Sequence, residues 1–343
     1  MTDGLPDYGK SCRLFHRRDD MGRVEIIYDK EKDRNFKDVL GEWIPQLAEE
    51  DDKLIYLDAD LANCIGMGKF IKAHPDRGFD CGIAEANMIG IAGGLSSAGF
   101  KPIVHSFGPF ASRRCFDQAF LSVGYAKNSV TIIGTDAGVC AAMNGGTHMP
   151  FEDAALYRVI PGAHVFDITD TTMLKSVLKQ CLDLDGVKYL RLGRKQNYKM
   201  YGPETEFEAG KGIVVREDGS DVAIFATGIM VAKALDAADQ LAAEGIHATV
   251  ADMFTVKPLD EQLVIDMAKK TGAVVTAENH NRVNGLYSAV TDVLSAECPV
   301  PAAWVGVDDS FGEVGPQDYL EERFGLTAEK IVERAKAVIA RKR

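Results

Sequence analysis

Residues 80–118 read D-C-G-I-A-E-A-N-M-I-G-I-A-G-G-L-S-S-A-G-F-K-P-I-V-H-S-F-G-P-F-A-S-R-R-C-F-D-Q. The apolar, Gly- and Ala-rich run from 81 to 99 carries a single charged residue, Glu85. Two aromatic residues, Phe107 and Phe110, follow about twenty residues later, just before a pair of arginines. The apolar pattern predicts strand, helix, strand and helix in succession, which is typical of an α/β fold.

Glu85 has two interpretations. Desolvation favours the neutral form of a carboxyl group, so a carboxylate in apolar surroundings can hold or share a proton near neutral pH. The alternative is a structural role at the start of the following helix, because carboxylates are favoured in first turns. The aromatic and arginine block behind Glu85 favours a functional site.

The composition limits the possible partners and locations. The 343 residues are enough for two domains, and 46% hydrophobic with 26% charged residues is typical of a soluble globular protein. A net charge of −12 argues against nucleic acid or an anionic membrane as partner. Seven widely spaced cysteines without a C-x-x-C pair, a polar amino-terminal start and no membrane-length apolar run predict a reduced, cytoplasmic protein.

Strand and helix signals alternate along most of the chain and predict two doubly wound α/β domains. We expect an arm at 1–34, a first domain at 35–198, a linker at 199–215 and a second domain at 216–343. Strands are predicted at 24–28, 54–57, 79–81, 102–106, 130–134, 163–167, 188–192, 222–227, 247–252, 273–277 and 303–307. Helices are predicted at 36–48, 85–98, 112–124, 229–244 and 285–296, with others beginning at 152, 171, 260 and 328.

Common cofactor motifs are weak or missing. Gly66-Met67-Gly68 is half of a dinucleotide fingerprint and lacks a convincing strand-to-helix turn. No G-x-x-x-x-G-K-[ST] loop occurs, and no two histidines stand at metal-ligand spacing. We therefore expect neither a nucleotide site nor a protein-encircled metal.

Several ordered blocks resemble the thiamine-diphosphate enzymes of the transketolase and deoxyxylulose-phosphate synthase group. The resemblance covers roughly residues 35–343 and implies a pyrimidine-binding domain with a mainly parallel sheet, then a transketolase C-terminal domain with a mixed sheet. The matching blocks are A-H-P-D-R-G-F-D-C-G-I-A-E-A-N-M-I-G-I-A-G-G-L (73–95), H-S-F-G-P-F-A-S-R-R-C-F-D-Q (105–118), G-G-T-H-M-P-F-E-D (145–153), Y-L-R-L-G-R (189–194), F-T-V-K-P-L-D (254–260) and A-E-N-H (277–280).

The resemblance implies a cofactor site around Glu85. In the family, the matching glutamate hydrogen-bonds the aminopyrimidine of thiamine diphosphate and favours the imino tautomer that deprotonates the thiazolium ring. Phe110 and Phe107 would form the aromatic wall on which the pyrimidine stacks, although ordinary core packing is almost as good an interpretation of Phe107. Ile83 is expected to line the same site.

The resemblance also implies substrate contacts. His148 matches a histidine that faces the substrate and supports proton movements of its hydroxyl groups. Arg194 stands where the family has an arginine that grips a phosphate, as a bidentate guanidinium can. Arg191 is either a second anion contact or a surface ion pair, and we also place His105 among the substrate contacts.

Two residues depart from the family pattern. Asp136 stands where transketolases commonly have a phosphate-contacting histidine, and a carboxylate there would repel phosphate. Asn144 replaces an aspartate that recognises a sugar hydroxyl, keeping hydrogen bonding without the charge. Arg113, paired with Arg114, could supply a replacement anion site. The identity of the substrate is therefore open.

The family's diphosphate-binding domain, with its G-D-G and metal-holding asparagine, is not found in this sequence. We therefore expect one subunit of a split transketolase, acting on small sugar substrates. A separate subunit would carry the diphosphate half and hold most of the Mg²⁺ contacts. Dimerisation through the pyrimidine domains would give an α2β2 assembly.

Three alternatives remain beside a two-carbon ketol transferase subunit. One is the β subunit of a 2-oxoacid dehydrogenase first component, which the F-T-V-K-P-L-D and G-G-T-H blocks disfavour. Another is a deoxyxylulose-phosphate synthase-like carboligase, which the missing fused half disfavours. The third is a non-catalytic regulatory subunit, which Asp136 and Asn144 keep open and which Glu85, Phe110 and His148 oppose.

Overall fold

The computed structural model describes residues 14–16, 23–194 and 197–342. In these ranges the chain forms two large sheets and a small antiparallel ribbon of β1 (Leu14–His16) and β2 (Val24–Ile26). The predicted strand 24–28 is therefore two residues shorter than expected.

The first sheet has seven strands in the order β12-β7-β8-β6-β5-β3-β4. All neighbouring strands are parallel except β12, which is antiparallel to β7. The strands are β3 (Leu54–Asp58), β4 (Gly78–Asp80), β5 (Lys101–Phe107), β6 (Val130–Thr135), β7 (His164–Asp167), β8 (Val187–Arg191) and β12 (Thr255–Lys257).

Helices cover both faces of this sheet. The side chains of β3 alternate: Leu54 and Tyr56 pack in the cluster that contains α1 (Phe36–Glu50) and α7 (Thr171–Cys181). Ile55 and Leu57 pack in the cluster that contains α3 (Glu85–Ser97). Burial on both faces explains why these strands are continuously apolar. Two shorter helices are α2 (Gly68–Ala73) and α6 (Asp153–Arg158).

The predicted helix 112–124 is wrong as a single element. The chain instead forms α4 (Gly108–Ala111), a 3-10 turn, α5 (Phe116–Gln118) and a π-helical segment, Ala119–Tyr125. Pro109 sits in the first turn of α4, and Ser112 has non-helical backbone angles and donates its hydroxyl to the Gly108 carbonyl at 2.7 Å. This break sets the directions of the two arginines that follow.

The second sheet has five strands in the order β14-β13-β10-β11-β9, of which only the edge strand β9 is antiparallel. The helices α8 and α12 pack on one face, and α9 and α10 pack on the other. The strands are β9 (Ile213–Glu217), β10 (Val222–Ala226), β11 (Ala248–Asp252), β13 (Val274–Asn281) and β14 (Ala302–Val307). The helices are α8 (Met230–Ala243), α9 (Glu261–Thr271), α10 (Leu286–Glu297), α11 (Gln317–Arg323) and α12 (Ala328–Ile339).

The two sheets are tied together. Strand β12 follows β11 of the second sheet but pairs with β7 of the first. The amide of Asn279, on β13, donates to the Ala137 carbonyl at 2.9 Å and accepts from the Val139 amide at 3.0 Å. Met200 and Tyr201, inside the predicted linker, are buried, and Ile26 forms an antiparallel bridge with Tyr201.

The predicted fold class is confirmed: two α/β domains, the first with a mainly parallel sheet and the second with a mixed one. Strand β9 begins at Ile213, inside the predicted linker, and β12 was not predicted. The domain boundaries stay predictions. Across the described ranges, no helix has both the length and the apolar character needed to cross a membrane.

Candidate active site

Glu85 is the first residue of α3 and is only 2% exposed. It lies beyond the carboxyl end of the sheet, where open parallel sheets commonly bind ligands. Its Oε1 accepts a hydrogen bond from Nη1 of Arg114 at 2.7 Å. The position in the first turn suits a carboxylate, as the structural interpretation predicted, but the side chain also engages the arginine block.

Arg114 contacts Glu85 and Phe110, which we did not predict, although we named it with Arg113 as a replacement anion site. Its guanidinium carbon lies 3.7 Å from the centre of the Phe110 ring, while the same group pairs with Glu85. The Arg114 side chain remains 43% exposed. The sequence contained a signal, since a second arginine follows Phe110 by four residues, but the broken helix decides which of the two arginines turns inward.

Phe107, Phe110 and His148 form an aromatic cluster. The ring centre of His148 lies 5.1 Å from that of Phe110 and 6.1 Å from that of Phe107, both edge-on. The two phenylalanine rings are 6.3 Å apart and tilted. All three residues are half-buried, so neither phenylalanine is an ordinary core residue. The cluster presents aromatic surface beside the Glu85–Arg114 pair.

His148 ends a 3-10 turn, Gly146–His148, within the Gly-rich segment after β6. Its Nδ1 lies 2.9 Å from the Thr147 hydroxyl. Partial burial, then the charges of Arg114 and Arg113, lower the pKa of His148 below its ordinary value. The imidazole is therefore neutral at neutral pH and able to accept a proton.

Arg113 is oriented away from Glu85. Its Nη1 donates to Oε1 of Glu152 at 2.5 Å and its Nη2 donates to the Thr147 carbonyl at 2.9 Å. These contacts tie the segment that carries His148 to the start of α6. The predicted anion contact of Arg113 stays a prediction, because the side chain is also partly exposed.

Arg194 and Asp136 line a neighbouring cavity of about 280 Å³. Nη1 of Arg194 lies 3.4 Å from Oδ2 of Asp136, and their side chains are 40% and 4% exposed. Phe107 and Thr135 line the same cavity, so it shares a wall with the aromatic cluster. The placement suits the predicted anion contact of Arg194.

His105 is a correction. It is fully buried, with Nδ1 2.9 Å from Oδ2 of Asp58 and Nε2 3.1 Å from the Thr135 hydroxyl. Oδ2 of Asp58 also accepts from the Tyr56 hydroxyl at 2.5 Å. A residue enclosed by this network cannot contact a substrate directly, so His105 supports Thr135 from behind.

Arg191 is a second correction. It is 1% exposed and pairs with Asp153 at 2.9 Å and with Asp167 at 3.2 Å. Its Nη2 also donates to the carbonyl oxygens of Pro150 and Asn279, at 3.2 Å and 2.5 Å. It is therefore neither an anion contact nor a surface ion pair: it holds the two domains together from the interior.

Ile83 and Asn144 lie on the surface. Ile83 is 75% exposed, two residues before Glu85, and Asn144 is exposed at the end of a 3-10 turn, Gly138–Asn144. Both are accessible to a ligand or a partner chain. Their predicted contacts with cofactor and substrate stay predictions.

The residues at this site fit an aminopyrimidine. The guanidinium of Arg114 is a flat group with N–H donors, and it contacts both the Phe110 face and the Glu85 carboxylate. A pyrimidine with a ring nitrogen would use the same two surfaces. Among the described residues, no three or more His, Cys, Asp or Glu side chains are grouped to hold a metal.

Family models match both halves of the chain. The transketolase pyrimidine-binding domain matches residues 32–199, and the transketolase C-terminal domain matches residues 210–331.

Three known proteins give the comparison more detail. The 6-deoxy-6-sulfo-D-fructose transketolase subunit SqwH of Clostridium sp. (strain MSTE9) is 48% identical, over 89% of this chain and 95% of that protein. A solved split-gene transketolase, described as an inactive beta4 tetramer, is 42% identical with a TM-score of 0.84, over 90% of this chain and 99% of that one. A 1-deoxy-D-xylulose-5-phosphate synthase of Geobacter sulfurreducens is 34% identical, over 90% of this chain and 48% of that protein.

The two relatives with higher identity are both matched over nearly their whole length and are both transketolase subunits, which disfavours the dehydrogenase and synthase alternatives. The chain belongs to the transketolase family: it is the subunit of a split transketolase, a thiamine-diphosphate-dependent transferase of ketol units, that carries the pyrimidine-binding and C-terminal domains.

Proposed function

We propose that this chain moves a two-carbon ketol unit from an anionic ketose to an aldose, at a site completed by a separate subunit. The observation that carries the proposal is the convergence of Glu85, Phe110 and His148 at one accessible site. A regulatory subunit would have no need of a buried carboxylate that is linked through Arg114 to an aromatic face and a neutral histidine.

Glu85 would bind the pyrimidine nitrogen and share a proton with it, with Phe110 and Phe107 providing the stacking surface. When bound, thiamine diphosphate supplies the electron sink for carbon–carbon bond cleavage. Arg114 would move off the Phe110 ring to make room for the pyrimidine, which its partly exposed side chain permits. Glu85 would thereby exchange the N–H of a guanidinium for the proton that it shares with the pyrimidine nitrogen.

His148 would accept and return the proton of a substrate hydroxyl. Its lowered pKa keeps the imidazole in the neutral, proton-accepting form at neutral pH. Arg113 supports this role by tying the Thr147 carbonyl to α6 through Glu152. Asn144 would hydrogen-bond a sugar hydroxyl from the preceding turn.

Arg194 would bind the anionic end of the ketose. One relative is named for 6-deoxy-6-sulfo-D-fructose, a ketose with an anionic group at carbon 6. The cavity lined by Arg194 shares Phe107 with the aromatic cluster, which suits one substrate reaching both. We therefore propose a sugar with an anionic terminal group as the donor ketose.

The partner subunit would carry the diphosphate-binding domain and most Mg²⁺ contacts in an α2β2 assembly, which we place in the cytoplasm. The solved relative that assembles as a beta4 tetramer is described as inactive, which fits a subunit that needs its partner. We expect this chain alone to lack turnover.

The test is reconstitution. The chain is mixed with a partner that carries the family's diphosphate-binding domain, thiamine diphosphate and Mg²⁺, and ketol transfer is assayed with 6-sulfo- and 6-phospho-ketohexoses and a panel of aldoses. We expect turnover only in the complete mixture, and none with Glu85→Gln. Unchanged turnover in Glu85→Gln, or turnover of 2-oxoacids in place of ketoses, would contradict the proposal.

A further inference from the structure

The cavity at Arg194 has an unusual balance of charge for an anion site. Two cationic side chains, Arg194 and Lys37, and one carboxylate, Asp136, line it among the described residues. The carboxylate oxygen lies 3.4 Å from the guanidinium, so one of the two positive charges is already partnered. The described part of the lining therefore carries one net positive charge.

Asp136 cannot easily move away from a ligand bound by Arg194. Its side chain is 4% exposed, and its backbone adopts a left-handed conformation with φ of 61°. Thr135, just before it, is held by the buried His105 through a 3.1 Å contact. An anion on Arg194 must therefore accommodate a nearby fixed carboxylate.

Sulfonates and phosphate monoesters differ in charge. A sulfonate carries one negative charge at any pH at which proteins fold, whereas a phosphate monoester carries between −1.5 and −2 near pH 7. A second negative charge beside a buried carboxylate costs free energy, because the repulsion is weakly screened there.

We propose that Asp136, paired with Arg194, is a specificity-determining residue that selects a singly charged sulfonate ketose over a doubly charged phosphate ketose. The inference rests on the proposed ketol transfer and names the substrate class of the same site. Arg194 attracts the anionic group of the ketose. The Asp136 carboxylate offsets part of that attraction, so that a group with one negative charge binds better than a group with two.

The experiment compares kcat/KM for 6-deoxy-6-sulfo-D-fructose and D-fructose 6-phosphate in the reconstituted complex. The wild type should prefer the sulfonate, and Asp136→Asn should shift the ratio toward the phosphate by about tenfold or more, mainly through KM. Asparagine has nearly the same shape and also tolerates left-handed backbone, so the substitution removes the charge and replaces one acceptor oxygen by an NH2 donor without a change of size. Asp136→Ser serves as a second variant if Asp136→Asn folds poorly.

Asp60→Asn is the matched control, because Asp60 is exposed, has a φ of 63° and does not line the cavity. It should leave the ratio unchanged. A wild type that prefers the phosphate, or an unchanged ratio in folded Asp136 variants, would overturn the inference and leave ketol transfer standing. The absence of turnover with both ketoses would overturn the proposed function and this inference together.

Discussion

Two arginine–carboxylate clusters in this chain use the same chemistry for different ends. Arg114 pairs with Glu85 beyond the carboxyl ends of the strands and is 43% exposed. Arg191 pairs with Asp153 and Asp167 between the two domains and is 1% exposed. Arg114 has one carboxylate partner and an aromatic face, whereas Arg191 is enclosed by two carboxylates and two carbonyl oxygens.

The difference shows what burial does to an ion pair. An enclosed pair has lost its water on every side, so removing one partner leaves an uncompensated charge in the interior. Burial raises the pKa of Asp167, and the nearby Arg191 opposes that rise. Where one partner is exposed, as Arg114 is, water or a ligand can reach the pair and take the place of that partner. Arg191 therefore serves as framework, and Glu85 is available for chemistry.

The largest effect on activity should come from removing the carboxylate of the Arg114–Glu85 pair. Glu85→Gln should lower ketol transfer in the complex by about 10²–10⁴-fold, the usual contribution of proton transfer. The far-UV circular dichroism and the assembly with the partner should not change. Steady-state assays check this, and activity like that of the wild type would remove Glu85 from the mechanism.

The role of the Arg191 cluster should be tested by measuring the free energy of unfolding. Arg191→Met should lower the free energy of unfolding by about 3–5 kcal/mol, because Asp153 and Asp167 lose their buried partner. Arg114→Met is the matched control and should cost distinctly less, because the Arg114 side chain is 43% exposed and water can take its place beside the single carboxylate of Glu85. Urea unfolding compares the two variants. Equal losses of stability would contradict the distinction between the buried Arg191 cluster and the Arg114–Glu85 pair.

Arg194 lies between the two extremes, with a half-buried guanidinium and a buried carboxylate partner. Arg194→Ala should raise KM for an anionic ketose by about tenfold or more, and it should affect kcat less, because it removes a charge-assisted contact. The comparison is a neutral ketose of the same length. An equal effect on both substrates would discard the anion contact.

The smallest effect concerns pH. The lowered pKa of His148 predicts that kcat/KM falls only below about pH 6.5, the ordinary histidine value, when the imidazole becomes protonated. Arg113→Gln removes a positive charge that disfavours the protonated ring, so its acid limb should move to higher pH. A limb that stays in place, or moves to lower pH, would contradict the role given to Arg113.

The sequence predicted the fold class correctly, and it singled out three residues that lie close together in the structure, because ordered motifs fix which residues meet at the carboxyl ends of the strands. Glu85, Phe110 and His148 do converge. The sequence did not show which polar residues are accessible to a ligand and which are buried. His105 and Arg191 are of residue types that are common in functional sites, but both are buried. The order of residues along the chain does not show which face of a strand is covered by other parts of the protein.

Short interruptions of regular secondary structure explain the remaining differences between the predicted and the observed elements. The helix that ends at Ala111 and the turn after Ser112 decide that Arg114, and not Arg113, reaches Glu85. We predicted one helix over 112–124, because the apolar residues there keep a helical spacing through the 3-10 turn and the π-helical segment. Strand β12 has three residues and joins the sheet of the other domain, a long-range pairing that no local propensity encodes.

The proposed function requires that this chain hold only half of a cofactor site. Calorimetric titration of thiamine diphosphate with Mg²⁺, into the chain alone and then into its mixture with the diphosphate-domain partner, distinguishes a half site from a complete one. We predict tight binding only in the mixture, and a much weaker signal there with Glu85→Gln. Tight binding to this chain alone, or no binding in the mixture, would contradict the account.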